Sequence, residues 1–190
     1  MAVSDQIYLF IFPYAGGAGH NFRPFVQHID SLQVVPLEYP GRGKRIKEPL
    51  LDDIHKIVED AFERITPYLE NYHQPYYFFG HSMGTLVAYL LTLKLVEAGY
   101  AKPQHIFVSG RGGPASPSRN KAISHLPSRQ FRNELQKMEG FDPVLWNNED
   151  FMAFVEPILR ADVHALESYE HVTGKQRGPS SQRAKFSQKL

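Results

Sequence analysis

Ser82 stands between two glycines in Gly80-His81-Ser82-Met83-Gly84, the G-x-S-x-G spacing of a serine that acts as a nucleophile. Such a serine must be presented on a sharp turn between a strand and a helix, so that its hydroxyl stands clear of both. The flanking residues supply both elements. Tyr76 to Phe79, bounded by Pro75 and Gly80, predicts a strand, and Thr85 to Glu97 predicts an apolar helix stopped by Gly99. The two glycines have a steric reason, because the turn forces strand and helix backbones together. His81 and Met83 are expected to shape the turn and pocket. The plainer alternative is a serine that caps an ordinary helix.

Acyl transfer at this serine also needs donors aimed at the oxyanion. One is expected from the backbone N–H of Met83, directly after the nucleophile, and a second from the loop after an early strand. Phe12-Pro13-Tyr14-Ala15-Gly16-Gly17 occupies that place. Pro13 has no N–H to give, so the second donor is Tyr14 or Ala15.

The elements that must position these groups alternate between strand-length apolar runs and helix-length amphipathic stretches, the pattern of a mostly parallel α/β sheet. Ile7 to Phe12 predicts the first strand, and a short helix is expected around Phe22 to Ile29. Val34 to Tyr39 predicts a second, weaker strand at an edge, since Pro36 cannot donate to a ladder. Asp52 or Asp53 can cap a helix that places Ile54, Ile57, Val58, Ala61, Phe62, Ile65 and Leu69 on one face. Ile106 to Ser109 predicts a fourth strand. Thereafter the pattern is helical: Ser128 and Asn148 are candidate caps, and Pro157 is expected to kink the second of these helices. This pair either covers the sheet or forms a lid over the site.

The chain has 190 residues, 21 Lys plus Arg, 20 Asp plus Glu and no cysteine. Its length and its 42% hydrophobic content suit one domain with a real core. Without cysteine there is no disulfide framework, thiolate metal site or cysteine nucleophile. The apolar runs Ile7 to Phe12 and Leu86 to Leu93 are far shorter than the roughly 18 residues of a membrane span. Met1 to Asp5 does not resemble a signal peptide, so a cytoplasmic protein is expected, without membrane association. The net charge of +1 averages two unlike parts. Residues 172–190 carry five basic and no acidic residues, which leaves 16 basic and 20 acidic residues before them. That last segment lacks any periodicity and is expected to be a disordered tail, not a nucleic-acid-binding element.

Several blocks together resemble a known family. FPYAGGAG near the start, PGRGKR at 40–45, FFGHSMGTLVAYLL, FVSGRGGP, ISHLP at 123–127 and LRADVHALESYE at 159–170 are similar to type II thioesterases, the stand-alone α/β-hydrolases of nonribosomal peptide and polyketide synthesis. The resemblance implies an α/β-hydrolase fold with a helical lid at about 115–160. It further implies hydrolysis of acyl or aminoacyl thioesters from the phosphopantetheine arm of carrier-protein domains, with Ser82 as nucleophile and Met83 and Tyr14 or Ala15 at the oxyanion hole. No metal or diffusible cofactor is required by that chemistry, and a monomer is expected.

The chain departs from the family after Glu170. The acid of the family's Gly-x-Asp-type turn and the base of its Gly-Gly-His-type motif have no counterpart, and roughly 60 further residues would carry them. Residues 1–171 are therefore expected to be an incomplete hydrolase domain lacking its last strands, with an exposed sheet edge, marginal stability and little activity. Asp162, His164 and His171 are the nearby candidates to substitute, but Asp162 and His164 lie two apart on a predicted helix and do not face each other. The competing functions are a general serine esterase or lipase and a non-catalytic carrier-protein binding module.

Overall fold

Ile7–Phe12 is a run of aromatic and branched apolar side chains with no charge to turn toward water, and it folds as β1 in the interior of a sheet. The computed structural model describes residues 7–22, 24, 32–70, 74–113, 122–138, 146 and 148–170. Four strands, β1, β2 (Leu32–Pro36), β3 (Tyr77–His81) and β4 (His105–Ser109), pair in the order β2-β1-β3-β4. Every pairing is parallel, with Leu9 opposite Tyr77 and Tyr77 opposite His105. Helices α1 (Ile54–Leu69) and α2 (Met83–Glu97) provide the crossovers from β2 to β3 and from β3 to β4.

The chain thus leaves β1 toward β2 and then crosses back to place β3 on the other side of β1. That reversal opens a crevice beyond the C-terminal ends of β1 and β3, where α/β sheets bind ligands. The sheet's alternation sorts its side chains. Phe10, Phe12 and Phe78 turn to the α1/α2 face and join Ile54, Ile65, Leu86 and Leu91 in the main core, while Leu9 and Ile11 pack with Phe22 on the other face. Helix α2 is apolar nearly all round, as burial against both sheet and α1 requires.

Several boundaries differ from expectation for local reasons. β2 begins two residues earlier and ends at Pro36, and it is an edge strand as Pro36 implied. α2 starts at Met83, immediately after the serine, and stops where Gly99 takes φ 84°. Asp53, and not Asp52, caps α1, accepting from His55 N (2.7 Å) and Lys56 N (3.1 Å). Asp53→Ala is expected to cost about 1 kcal/mol in urea unfolding, the usual loss of a helix cap. Ser128 is the first residue of α3 (Ser128–Gln136) and does not cap it; its hydroxyl bonds to Glu156 instead. Asn148 does cap α4 (Glu149–Glu167), accepting from Phe151 N at 2.9 Å, and α4 is assigned as one continuous helix through Pro157. The short helix expected to Ile29 falls almost wholly outside the described residues, as does the tail 172–190.

Helices α3 and α4 build a second cluster around Phe131, Leu135, Trp146, Met152 and Leu159. Glu156 sits on the apolar stripe of α4 and accepts from Arg132 Nε and Arg160 Nη2, both at 2.7 Å. Burial alone would raise its pKa, but the bonds from Arg160 and Arg132 outweigh that and hold it below the ordinary 4.5. A carboxyl depressed on folding contributes stability above its unfolded pKa and loses it as pH falls through the folded value. Trp146, the single tryptophan, is buried in this cluster. Its emission is therefore expected to shift to the red as pH falls below about 4.5. An unchanged spectrum down to pH 3 would show that Glu156 does not hold this unit together.

Candidate active site

Ser82 is the one non-glycine residue with positive φ among the described residues, at φ 51° and ψ −113°. A serine in that region is strained, typically by about 1–3 kcal/mol, and its neighbours must hold it there. They do so through the backbone. Ser82 N donates to Ser109 O on β4 at 2.8 Å, and Ser82 O accepts from Thr85 N at 3.1 Å. The Thr85 hydroxyl spans the turn, reaching Gly80 O at 2.9 Å and Ser109 O at 3.2 Å.

Both motif glycines are required by contact. A Cβ on Gly80 would stand 2.4 Å from Gly84 O, and a Cβ on Gly84 would stand 1.9 Å from Phe12 O and 2.8 Å from Pro13 O. The N-terminus of α2 is thereby pressed onto the end of β1, where the loop Pro13–Gly17 begins. Met83 opens α2, so its N–H has no intrahelical acceptor. Neither Tyr14 nor Ala15 uses its N–H on an acceptor among the described residues, whereas Gly17 N donates to Tyr14 O at 2.8 Å. Ser82 and the loop that carries Tyr14 and Ala15 thus lie at the same end of the sheet, beyond β1 and β3.

His81 does not serve as a base for Ser82 in this arrangement. Its Nδ1 lies 3.1 Å from Ser109 Oγ, its ring meets Tyr14 edge-on at 5.7 Å, and Gly110 at φ 66° packs against it. It packs instead between Tyr14, Ser109 and Gly110 at the end of the sheet. His164 is exposed, with Nδ1 3.0 Å from Asp52 O, and His171 lies outside the described residues. Asp162 is fully buried and points away from His164. Its carboxylate receives Arg42 Nη1 at 2.5 Å, Arg42 Nη2 at 2.8 Å and Gly16 N at 2.7 Å.

This Arg42–Asp162–Gly16 contact was not foreseen from the sequence. A signal existed: Leu159, Asp162 and Val163 share the apolar stripe of α4, and a carboxylate on a buried stripe demands a cation. What the sequence could not show is which cation, 120 residues away. Arg45 of the same PGRGKR block is used differently, held by Glu48, by Asp60 (2.6 Å) and by Glu38 O (2.9 Å). It lines a groove of about 700 Å³ between β2 and α1, with Phe10, Glu38, Asp60 and Tyr68. None of the crevice residues reaches that groove, so it is separate from the serine.

Among the described residues no cluster of His, Asp and Glu is placed to hold a metal ion, and no helix is long and apolar enough to cross a membrane. The sequence profile of the thioesterase domain matches residues 8–189. The protein named linear gramicidin dehydrogenase LgrE, of Brevibacillus parabrevis, is 34% identical over 90% of this chain, which spans 65% of that relative's length. ClbQ from the colibactin NRPS/PKS pathway superposes with a TM-score of 0.81 at 28% identity, covering 90% of this chain and 72% of the other. YbtT, a type II thioesterase from the yersiniabactin NRPS/PKS pathway, gives a TM-score of 0.77 at 28% identity, over 90% and 68%. With the profile matched across nearly the whole chain and a solved thioesterase sharing its parallel sheet and helices, the chain belongs to the thioesterase domain family.

Proposed function

We propose that this protein acts on acyl or aminoacyl thioesters carried on the phosphopantetheine arm of carrier-protein domains in a nonribosomal peptide or polyketide synthase. The observation that carries the proposal is Ser82, strained at φ 51° beside a loop whose amides at Tyr14 and Ala15 are unspent. The Ser82 oxygen attacks the thioester carbonyl, and the negative charge moves onto the carbonyl oxygen, facing Met83 N–H and Tyr14 or Ala15 N–H. The C–S bond then breaks, and the pantetheine sulfur leaves as a thiol with the proton given up by the Ser82 hydroxyl, so that an acyl-serine remains. Water hydrolyses that ester, its hydroxyl passing to the acyl carbon and its other proton to the Ser82 oxygen. No metal or diffusible cofactor enters these steps. The lid region at about 115–160, which includes α3 and the first part of α4, meets the carrier protein.

A serine needs a base, and the candidates among the described residues are otherwise engaged. Asp162 is committed to Arg42 and Gly16, and His164 faces the Asp52 carbonyl. Turnover by these 190 residues alone is therefore expected to be slow. The test loads a carrier protein with an acyl-phosphopantetheine, then follows thiol release and the intact mass of the protein. An acyl adduct at Ser82 with slow thiol release supports the proposal. Carrier binding with neither adduct nor release would replace it with a binding module, and faster reaction with a p-nitrophenyl ester than with the carrier thioester would favour a general esterase.

A further inference from the structure

We infer that Asp162, gripped by Arg42, is a positioning residue that sets the Tyr14–Ala15 amides of the oxyanion loop against Ser82. The inference rests on the nucleophile reading of Ser82 proposed above.

The loop Pro13–Gly17 has few internal bonds of its own. At its start it is fixed by β1 and by the Tyr39 hydroxyl, which donates to Pro13 O at 3.3 Å. At its other end, Gly16 takes φ 77° and donates its N–H to Asp162 Oδ2 at 2.7 Å, while Leu159 packs so closely that a Cβ on Gly16 would stand 2.4 Å from Leu159 Cδ2. The peptide units between these two ends carry the unspent N–H groups of Tyr14 and Ala15. Their direction is thus set by where Asp162 stands.

Asp162 is itself immobilised. It has no exposed surface, and Arg42, 3% exposed, meets it with a two-pronged fork at 2.5 and 2.8 Å. Arg42 in turn lies over the Tyr39 ring at 5.4 Å and donates from Nε to Pro40 O at 3.4 Å. The carboxylate therefore spends one oxygen on Arg42 alone and shares the other between Arg42 and the loop. A buried ion pair is weak evidence of added stability but fixes geometry well, and an oxyanion donor requires its geometry fixed before reaction. Asp162, considered from the sequence as a substitute triad member, acts through the loop instead.

The test uses the full chain and two readouts. Amide hydrogen exchange is followed in peptides covering 13–18 and 83–97, and Ser82 labelling by an alkyl fluorophosphonate is followed by intact mass. Asp162→Asn is expected to speed exchange in 13–18 selectively and to slow labelling about 10- to 100-fold, short of or reaching the loss of an oxyanion donor. Arg42→Lys keeps the charge but not the fork, so an intermediate change in both readouts is expected even where Asp162→Asn folds poorly. Exchange that rises equally in both peptides marks a merely structural pair and overturns the inference. So does a loosened loop with unchanged labelling. A native chain that never labels at Ser82, even with imidazole supplied as an external base, refutes the nucleophile reading, and the exchange pattern then decides the clamp by itself.

Discussion

Ser82→Ala is expected to reduce fluorophosphonate labelling and acyl-adduct formation to background, with little change in stability. The Ser82 hydroxyl makes no capping bond to α2, and the turn is held by backbone bonds to Ser109 and Thr85 that alanine keeps. Removing a group that bonds to nothing in the fold typically changes stability by no more than about 0.5 kcal/mol. Intact mass reads the adduct, and thermal unfolding reads the fold. Ser82→Gly separates strain from chemistry. It is equally unreactive, yet it relieves a backbone cost of about 1–3 kcal/mol and so is expected to unfold at a higher temperature than the alanine variant. An adduct that survives in Ser82→Ala would mean another nucleophile, and the catalytic proposal would fall with it.

Gly84→Ala is expected to be the most damaging alanine substitution among the described glycines whose added carbon meets a neighbour, since its contact is the shortest of them. The added carbon would stand 1.9 Å from Phe12 O, 2.5 Å from Phe12 C and 2.8 Å from Pro13 O, all backbone atoms that cannot rotate aside. Either α2 must withdraw from β1 or the loop Pro13–Gly17 must move. Overpacking of this kind costs about 3 kcal/mol or more, and the folded fraction that remains is expected to lose Ser82 labelling because nucleophile and loop no longer meet. Gly99→Ala is the control. Its added carbon meets nothing within 4 Å, so only the left-handed backbone at φ 84° opposes it, at about 1 kcal/mol. Urea unfolding of the two variants side by side checks the difference. Equal midpoints would show that the close approach of α2 to β1 does not matter.

Much of the fold was legible because its signals are local. β1 matches the run Ile7–Phe12, α1 matches the apolar spacing from Ile54 to Leu69, and the strand–serine–helix unit around Ser82 follows from two glycines and their flanks. The edge position of β2 was carried by Pro36. The Ser128 cap was misjudged because a serine hydroxyl can serve a helix end or a distant acceptor, and Glu156 was the acceptor it found. Likewise, Asp52 and Asp53 were equivalent in sequence, and only the direction of chain entry into α1 decided between them.

Residue type and short spacing were enough to mark Ser82 as a candidate nucleophile, Met83, Tyr14 and Ala15 as candidate oxyanion donors, and the fold as parallel α/β. These depend on residue type and short spacing, which the chain states directly. Long-range packing set β3 beside β1 at the reversal of strand order, and with it brought the loop and the serine to one end of the sheet. It alone decided the partner of Asp162. A buried carboxylate must find a cation, but nothing local says which of the chain's 21 basic residues will supply it. Helix α4 has to pack across the PGRGKR turn before Arg42 becomes the answer.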